Sequence, residues 1–174
     1  MTREESPTVD LAEDLRRSLA TLLHEVLEGP AETGAFVLNR GDRGLLASLD
    51  ALSAETATAR PDGRASVAAH VDHLRYGIEL LNRWARGEDP WSTANYAASW
   101  QRNEVSPEQT DDQWRALREA LKEEARAWTA SAARRADWNE SGITEAFASV
   151  VHLAYHLGAI RQIAVAARGP RAHD

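Results

Sequence analysis

Four long segments of this chain place apolar residues at steps of three and four positions, and this spacing limits the fold more than any other feature. In the second segment the repeating apolar residues are Val67, Val71, Leu74, Ile78 and Leu81. Such steps match one face of an α-helix, whereas a half-buried strand would alternate. The period predicts helices over about 9–28, 64–86, 107–131 and 144–167. We therefore predict an all-α fold, a four-helix bundle that is either up-and-down or has one long crossover.

Length and charge narrow the class of protein. With 174 residues the chain is about the size of one domain, so we expect a single helical domain over 1–174. The net charge of −7 would repel a phosphate backbone, and we expect no nucleic-acid partner. No apolar run approaches the roughly 20 residues of a membrane span, and the first residues lack a signal-peptide pattern. We expect no membrane partner and a cytoplasmic location.

The sequence contains no cysteine but six histidines. Without thiolates, the chain cannot form disulfides, iron–sulfur clusters or zinc ribbons, and it has no cysteine nucleophile. A metal site would have to be built from histidine, carboxylates and water, and any thiol chemistry would need a thiol from outside the chain. Two of the histidines are set apart from the others: we expect His24 on the polar face of the first helix and His173 in the C-terminal tail.

The segment 88–105 follows neither a helical nor a strand period, and we interpret it as an ordered loop. It carries the aromatic residues Trp91, Tyr96 and Trp100 among serine, threonine and asparagine. Two interpretations are open, since these side chains would either cover the mouth of a pocket or pin the loop onto the helices.

Two pairs of histidines fall on the inward faces of the second and last helices. His70 and His73 are three residues apart, and His152 and His156 are four apart, so each pair shares a face. At about 100° per residue, both pairs lie on or beside the arc of apolar residues. Buried imidazoles need polar partners. They are therefore either core histidines bonded to each other or to the backbone, or ligands of a divalent metal ion.

Two stretches of the sequence resemble a known family. They are Ser66-Val67-Ala68-Ala69-His70-Val71-Asp72-His73-Leu74 and, about 80 residues later, His152-Leu153-Ala154-Tyr155-His156-Leu157-Gly158-Ala159-Ile160-Arg161-Gln162. A third stretch is Gly41-Asp42-Arg43-Gly44-Leu45-Leu46-Ala47-Ser48-Leu49. With these three stretches, most of the chain resembles the DinB/YfiT-like superfamily of four-helix-bundle metalloenzymes. The most specific element is the C-terminal His-x-x-x-His motif followed by Leu-Gly-x-Ile-Arg-Gln.

The resemblance implies a divalent metal ion (zinc, nickel or iron) held by three histidines, with positions left open for water or substrate. The matching residues are His73, His152 and His156. His70 stands at a position that is more often apolar in the family. Three roles stay open for it: a fourth ligand, a partner behind one of the ligands, or the ligand in place of His73. The resemblance also implies that two copies pair as a homodimer.

The resemblance further implies a small-molecule substrate, with the ion activating water or a low-molecular-weight thiol, as in S-transferases, isomerases or hydrolases. Helical phase adds Glu145 and Tyr155 as an additional ligand or outer partner, with Asp72 adjacent. Glu145 has a simpler interpretation as an acidic residue in the first turn of the last helix. The alternative function is a non-catalytic helical-bundle protein, for binding or stress response, whose histidines are structural.

Overall fold

The part of the chain that the structure describes is all-helical and contains no β-strand, which confirms the predicted fold class at that level. The structure is a computed structural model, and it describes residues 10–60, 63, 65–101 and 111–171. The α-helices are α1 Leu11–Glu28, α2 Gly44–Asp50, α3 Ala54–Thr58, α4 Val67–Ala85, α5 Tyr96–Gln101, α6 Asp111–Arg134 and α7 Glu140–Ile163. Two short 3-10 turns cover Trp91–Thr93 and Val165–Ala167.

The four long helices α1, α4, α6 and α7 enclose one apolar core. Helices α1 and α4 each pack against both α6 and α7. The periodic positions Trp114, Leu121 and Trp128 of α6 are buried in this core, as their spacing predicts. Both buried indoles have a partner, since Trp114 Nε1 donates to the Leu52 carbonyl at 2.9 Å and Trp128 Nε1 donates to Ser149 Oγ at 2.9 Å. The large aromatic residues of α6 therefore fill the core without leaving an unpaired N–H.

The bounds of the last helix differ from those that the sequence predicts. Helix α7 begins at Glu140, because Asn139 Oδ1 accepts the Gly142 backbone N–H at 2.8 Å and caps the first turn. It ends at Ile163, and the chain continues into a 3-10 turn. The predicted range 144–167 is therefore displaced by four residues.

The prediction of an ordered loop over 88–105 is wrong in part, because helix α5 lies within it. A helix of six residues is too short to show a period in the sequence. It packs against α4, and this tertiary contact stabilises it. The predicted start of the third long helix at 107 lies outside the described residues.

The connection after α1 is fixed by a buried carboxylate. Glu25 is only 2% exposed, and its Oε1 accepts the backbone N–H groups of Phe36, Val37 and Leu38 at 2.9, 2.7 and 2.8 Å. Hydrogen bonds to an ionised acceptor are stronger than those between neutral groups. The loop between α1 and α2 is thereby attached to α1.

An ion pair joins the same loop to the end of α7. Arg161 donates to Asp42 through Nη2 at 2.7 Å and Nη1 at 2.9 Å, and Nη2 also donates to Ser48 Oγ at 3.1 Å. Burial alone would raise the pKa of Asp42, but the hydrogen bonds from Arg161 and the Gly44 backbone outweigh it and hold that pKa below its usual value. This pair positions the C-terminal end of α7.

Helix α7 is apolar on more than its inner face. Among the described helices, it alone is long and apolar enough to cross a membrane by length and composition, a criterion that core helices of soluble proteins also meet. Its outer face carries Phe147, Val151 and Tyr155, of which Val151 is 67% and Tyr155 69% exposed. The outer face of α7 is therefore an apolar surface on a chain that is otherwise rich in charge.

We expect Arg161→Met to lower the free energy of unfolding by about 3 kcal/mol, because it leaves the Asp42 carboxylate buried without its partner. Urea denaturation measures this loss. The matched control is Arg17→Met, since the Arg17–Asp14 pair lies on the surface with the Arg17 side chain 68% exposed. Its expected effect is below about 0.5 kcal/mol. Equal losses in the two variants would contradict the role assigned to the buried pair.

Candidate metal centre

Four imidazoles meet where α4 packs against α7. His70 and His73 come from α4, and His152 and His156 from α7. His73 and His156 are buried, while His70 and His152 are half-buried. The structure thus brings together all four histidines that the helical phase places on inward faces. His24 is exposed, and His173 lies outside the described residues.

Three of these imidazoles point one nitrogen each at a common point. His152 Nε2 lies 3.1 Å from His73 Nε2 and 2.9 Å from His156 Nε2. One nitrogen from each of the three lies within 4.8 Å of the other two, a spacing that would allow all three to bind one ion.

A buried serine determines which nitrogen of His73 carries the proton. Ser99 lies on α5, and its Oγ donates to the Tyr96 carbonyl at 2.7 Å. A hydroxyl has one proton to donate. Ser99 Oγ therefore accepts from His73, whose Nδ1 lies 2.9 Å away. His73 is protonated at Nδ1, and its Nε2 presents a lone pair to the other imidazoles.

The three converging nitrogens cannot all be satisfied by hydrogen bonds among themselves. A proton on His152 Nε2 can point fully at only one of its two neighbours. A proton on His156 Nε2 would instead leave the lone pairs of His152 and His73 facing each other at 3.1 Å. Within this cluster, any arrangement of protons on neutral rings leaves one close contact poorly bonded. Buried polar groups in that state need a further partner.

His70 contacts the three converging histidines on the outer side of His156. Its Nδ1 lies 2.8 Å from His156 Nδ1, the nitrogen opposite the one that faces His152. One of these two Nδ1 atoms donates to the other. His70 therefore bonds to the far nitrogen of His156 and does not belong to the set of three that converges.

Burial keeps the four imidazoles neutral at pH 7. Desolvation, reinforced by the neighbouring His152 and His70, lowers the pKa of His73 to about 4 against the opposing effect of Asp72. The same causes, with His73 added, lower the pKa of His156 to about 3. Burial also lowers the pKa values of His70 and His152. The neutral form is the one that binds metal ions.

Aromatic and acidic side chains surround the cluster. Trp100 of α5 stacks on His73 with ring centroids 4.3 Å apart. Tyr155 meets His156 edge-on at 5.0 Å, but its side chain is largely exposed on the outer face of α7. Asp72 forms an ion pair with Arg75 at 3.0 Å. The structure thus places Tyr155 and Asp72 beside the histidines but not among the three converging nitrogens.

A cavity of about 120 Å³ adjoins His152. Glu145 lines this cavity and is not part of the converging set. Trp91 and Tyr96 line it as well, whereas Trp100 packs on the histidines. The aromatic residues of 88–105 therefore divide between the wall of the cavity and the histidine cluster.

Sequence reasoning did not identify Ser99 or the stacking of Trp100 on His73. The aromatic residues of 88–105 were a signal that this segment packs on something. A single serine carries no such signal, because its role depends on α5 turning Oγ toward His73.

The family of this chain follows from a match to a sequence profile. The sequence profile of the DinB superfamily matches residues 38–159, more than two thirds of the chain. This protein belongs to the DinB superfamily. No match was found among curated proteins or among solved structures.

We expect the metal-free protein to lose stability as the pH falls below 6.5, the ordinary pKa of histidine. The unfolded chain takes up protons there, while His73 and His156 stay neutral in the folded protein down to about pH 4 and 3. The contribution of these two histidines to the free energy of unfolding is therefore complete above pH 6.5 and is lost as the pH falls below it. Between pH 7 and pH 5 we expect a loss on the order of 1–2 kcal/mol for each of these two histidines, measured by urea denaturation.

The control for this pH dependence is His24→Gln, because the exposed His24 lies apart from the cluster. That variant should keep the full loss between pH 7 and pH 5. The double variant His73→Gln/His156→Gln should lose much of it. A pH dependence that is the same in both variants would show that the buried cluster is not its source.

Proposed function

We propose that this protein is a divalent-metal-dependent enzyme whose ion is held by Nε2 of His73, His152 and His156. The observation that carries the proposal is the set of three converging nitrogens that protons alone cannot satisfy. A single cation accepts all three lone pairs at once. The separations of 3.1 and 2.9 Å approach the roughly 3.4 Å between nitrogens that tetrahedral bonds of 2.0–2.1 Å to zinc would give.

The donor set fits a borderline metal ion such as zinc, nickel or iron, since imidazole binds all of these well. Three neutral ligands leave the ion its full double charge. When bound, the ion would supply Lewis-acid activation of water or of a low-molecular-weight thiol. The chain has no cysteine, so such a thiol would be a second substrate.

The surrounding residues hold the three ligands in place. Ser99 keeps the proton of His73 on Nδ1, which directs the Nε2 lone pair inward. We propose the corresponding role for His70, as the partner behind His156 rather than a fourth ligand or a replacement for His73. The stacked Trp100 excludes water from one face of His73.

Four further expectations belong to this proposal. The contacts of α1 and α4 with both α6 and α7 support a four-helix bundle. The half-open cavity beside His152 supports a small-molecule substrate. The exposed apolar face of α7 offers a surface on which two copies would pair. The absence of cysteine is consistent with a cytoplasmic location.

Metal analysis tests the proposal directly. Protein made without an affinity tag, stripped with a chelator and reloaded with zinc should retain one ion per chain. We expect His73→Gln and His156→Gln to reduce retention to background, because two imidazoles alone bind much more weakly. His24→Gln should retain the full amount. If zinc is not retained, or is retained equally by all three variants, the histidines are structural and the non-catalytic alternative applies.

We expect Ser99→Ala to weaken zinc affinity by about 10-fold at unchanged stoichiometry, since outer partners of ligands typically contribute 10- to 100-fold. The alanine leaves His73 free to place its proton on either nitrogen. A competition titration against a chromophoric chelator measures the change. Ser92→Ala is the matched control, because Ser92 is exposed on the nearby 3-10 turn. Equal affinities for Ser99→Ala and the wild type would contradict the tautomer assigned to His73.

A further inference from the structure

The cavity beside the metal centre has an apolar wall and a size suited to a small ring or a branched chain. It measures about 120 Å³, and its larger apolar lining residues are Leu74, Ile78, Leu81, Leu153, Trp91 and Tyr96. For comparison, an apolar cavity of about 150 Å³ in another protein binds benzene. Because His152 lines the cavity and also points Nε2 at the other histidines, an occupant would contact one of the proposed metal ligands.

A glycine within helix α4 enlarges this cavity. Gly77 costs helix stability relative to alanine, and nothing in its surroundings requires a glycine. A Cβ atom there would lie 3.8 Å from His152 Cε1 and 3.9 Å from His152 Nδ1, which is ordinary van der Waals contact. An alanine would therefore fit, and it would occupy space against the imidazole. The missing side chain leaves that space open to another molecule.

The cavity also carries an unbalanced negative charge. Among its described lining residues, only Glu145 has a formal charge, and no hydrogen bond or ion pair to Glu145 is present in the described part of the chain. Burial raises the pKa of Tyr96, and the charge of Glu145 raises it further, so the field of the carboxylate reaches that hydroxyl. Ser149, also in the lining, has already donated its proton to the Ala146 carbonyl. The cavity thus lacks a cation to balance Glu145.

We propose that this cavity binds a substrate that carries a protonated amine beside an apolar group of about benzene size, with the amine paired to Glu145. The inference rests on the proposed function, because it assigns the cavity to the substrate of that metal centre. Glu145 precedes His152 by two helical turns, about 10 Å along the axis. The amine and the reacting group of such a substrate would therefore be separated by several bonds.

Benzylamine and benzyl alcohol are suitable probes, since they share the ring and differ in charge at pH 7. Calorimetric titration of the metal-free protein avoids binding of the amine to a metal. We expect benzylamine to bind at least 10-fold more tightly than benzyl alcohol. In Glu145→Gln that preference should fall to less than threefold, whereas Glu123→Gln, an exposed position on α6, should keep it. Equal binding of the two probes to the wild type would overturn the proposal.

Two substitutions of Gly77 test whether the apolar group of the ligand occupies this cavity. Gly77→Leu should abolish binding of both probes, and Gly77→Ala should weaken both at least threefold while the melting temperature stays equal or rises. The matched control is Gly158→Ala on α7, where a Cβ meets nothing within 4 Å. It should gain the same helix stability and bind both probes like the wild type. Unchanged binding in Gly77→Leu and Gly77→Ala would overturn the assignment of the cavity.

Zinc retention separates a failure of this inference from a failure of the proposed function. Glu145→Gln and Gly77→Ala should both retain one zinc per chain, because neither residue is among the three converging histidines. If the wild type retains zinc but does not prefer the amine, the cavity assignment is wrong and the metal centre stands. If it prefers the amine but retains no zinc, the ligand class stands and the metal-dependent function is overturned.

Discussion

A neutral imidazole carries one N–H for two nitrogens, and this ratio governs the centre of the molecule. Burial keeps the four imidazoles of α4 and α7 neutral, so no additional proton is available to them at pH 7. At the edges of the cluster, Ser99 accepts an N–H of His73, and one N–H joins Nδ1 of His70 to Nδ1 of His156. At the middle, the three Nε2 atoms share too few N–H groups to bond every close contact between them. The network that ties α4, α5 and α7 together is therefore complete at its edges and incomplete at the three Nε2 atoms in its middle.

Sequence periodicity predicted the long helices because each buries a wide apolar face, which imposes a period of 3.6 on many residues at once. Helix α5 was not predicted, and the reason is the opposite one. Six residues give no period, and this helix depends on contacts with α4, such as that between Ser99 and His73, which are 26 positions apart. The start of α7 was displaced because a cap is set by one hydrogen bond, here at Asn139, which the apolar pattern does not report. The attachment of the loop to Glu25 depends likewise on tertiary structure alone.

Within the candidate site, helical phase placed four histidines on inward faces, and the structure brings all four together. Phase fixes an angle about one helix axis but not the distance to a second helix. It could not say which nitrogens would converge, nor that His70 would lie behind His156. Phase also suggested Tyr155 as a partner, yet its position one residue before His156 turns the side chain by about 100° and leaves it on the outer face. Glu145 has the predicted phase, but the packing of α4 opens a cavity in front of it.

The buried carboxylate of Glu25 has a consequence for the surface loop that it holds. Loops usually tolerate inserted residues, because their backbone groups are bonded to water. Here three successive amides are bonded to one side chain on α1, so an insertion between residues 36 and 38 would strand a carboxylate in the interior. The geometry of the loop is therefore tied to that of the helix. Over evolution, length variation in this connection should accumulate on either side of these three residues and not between them.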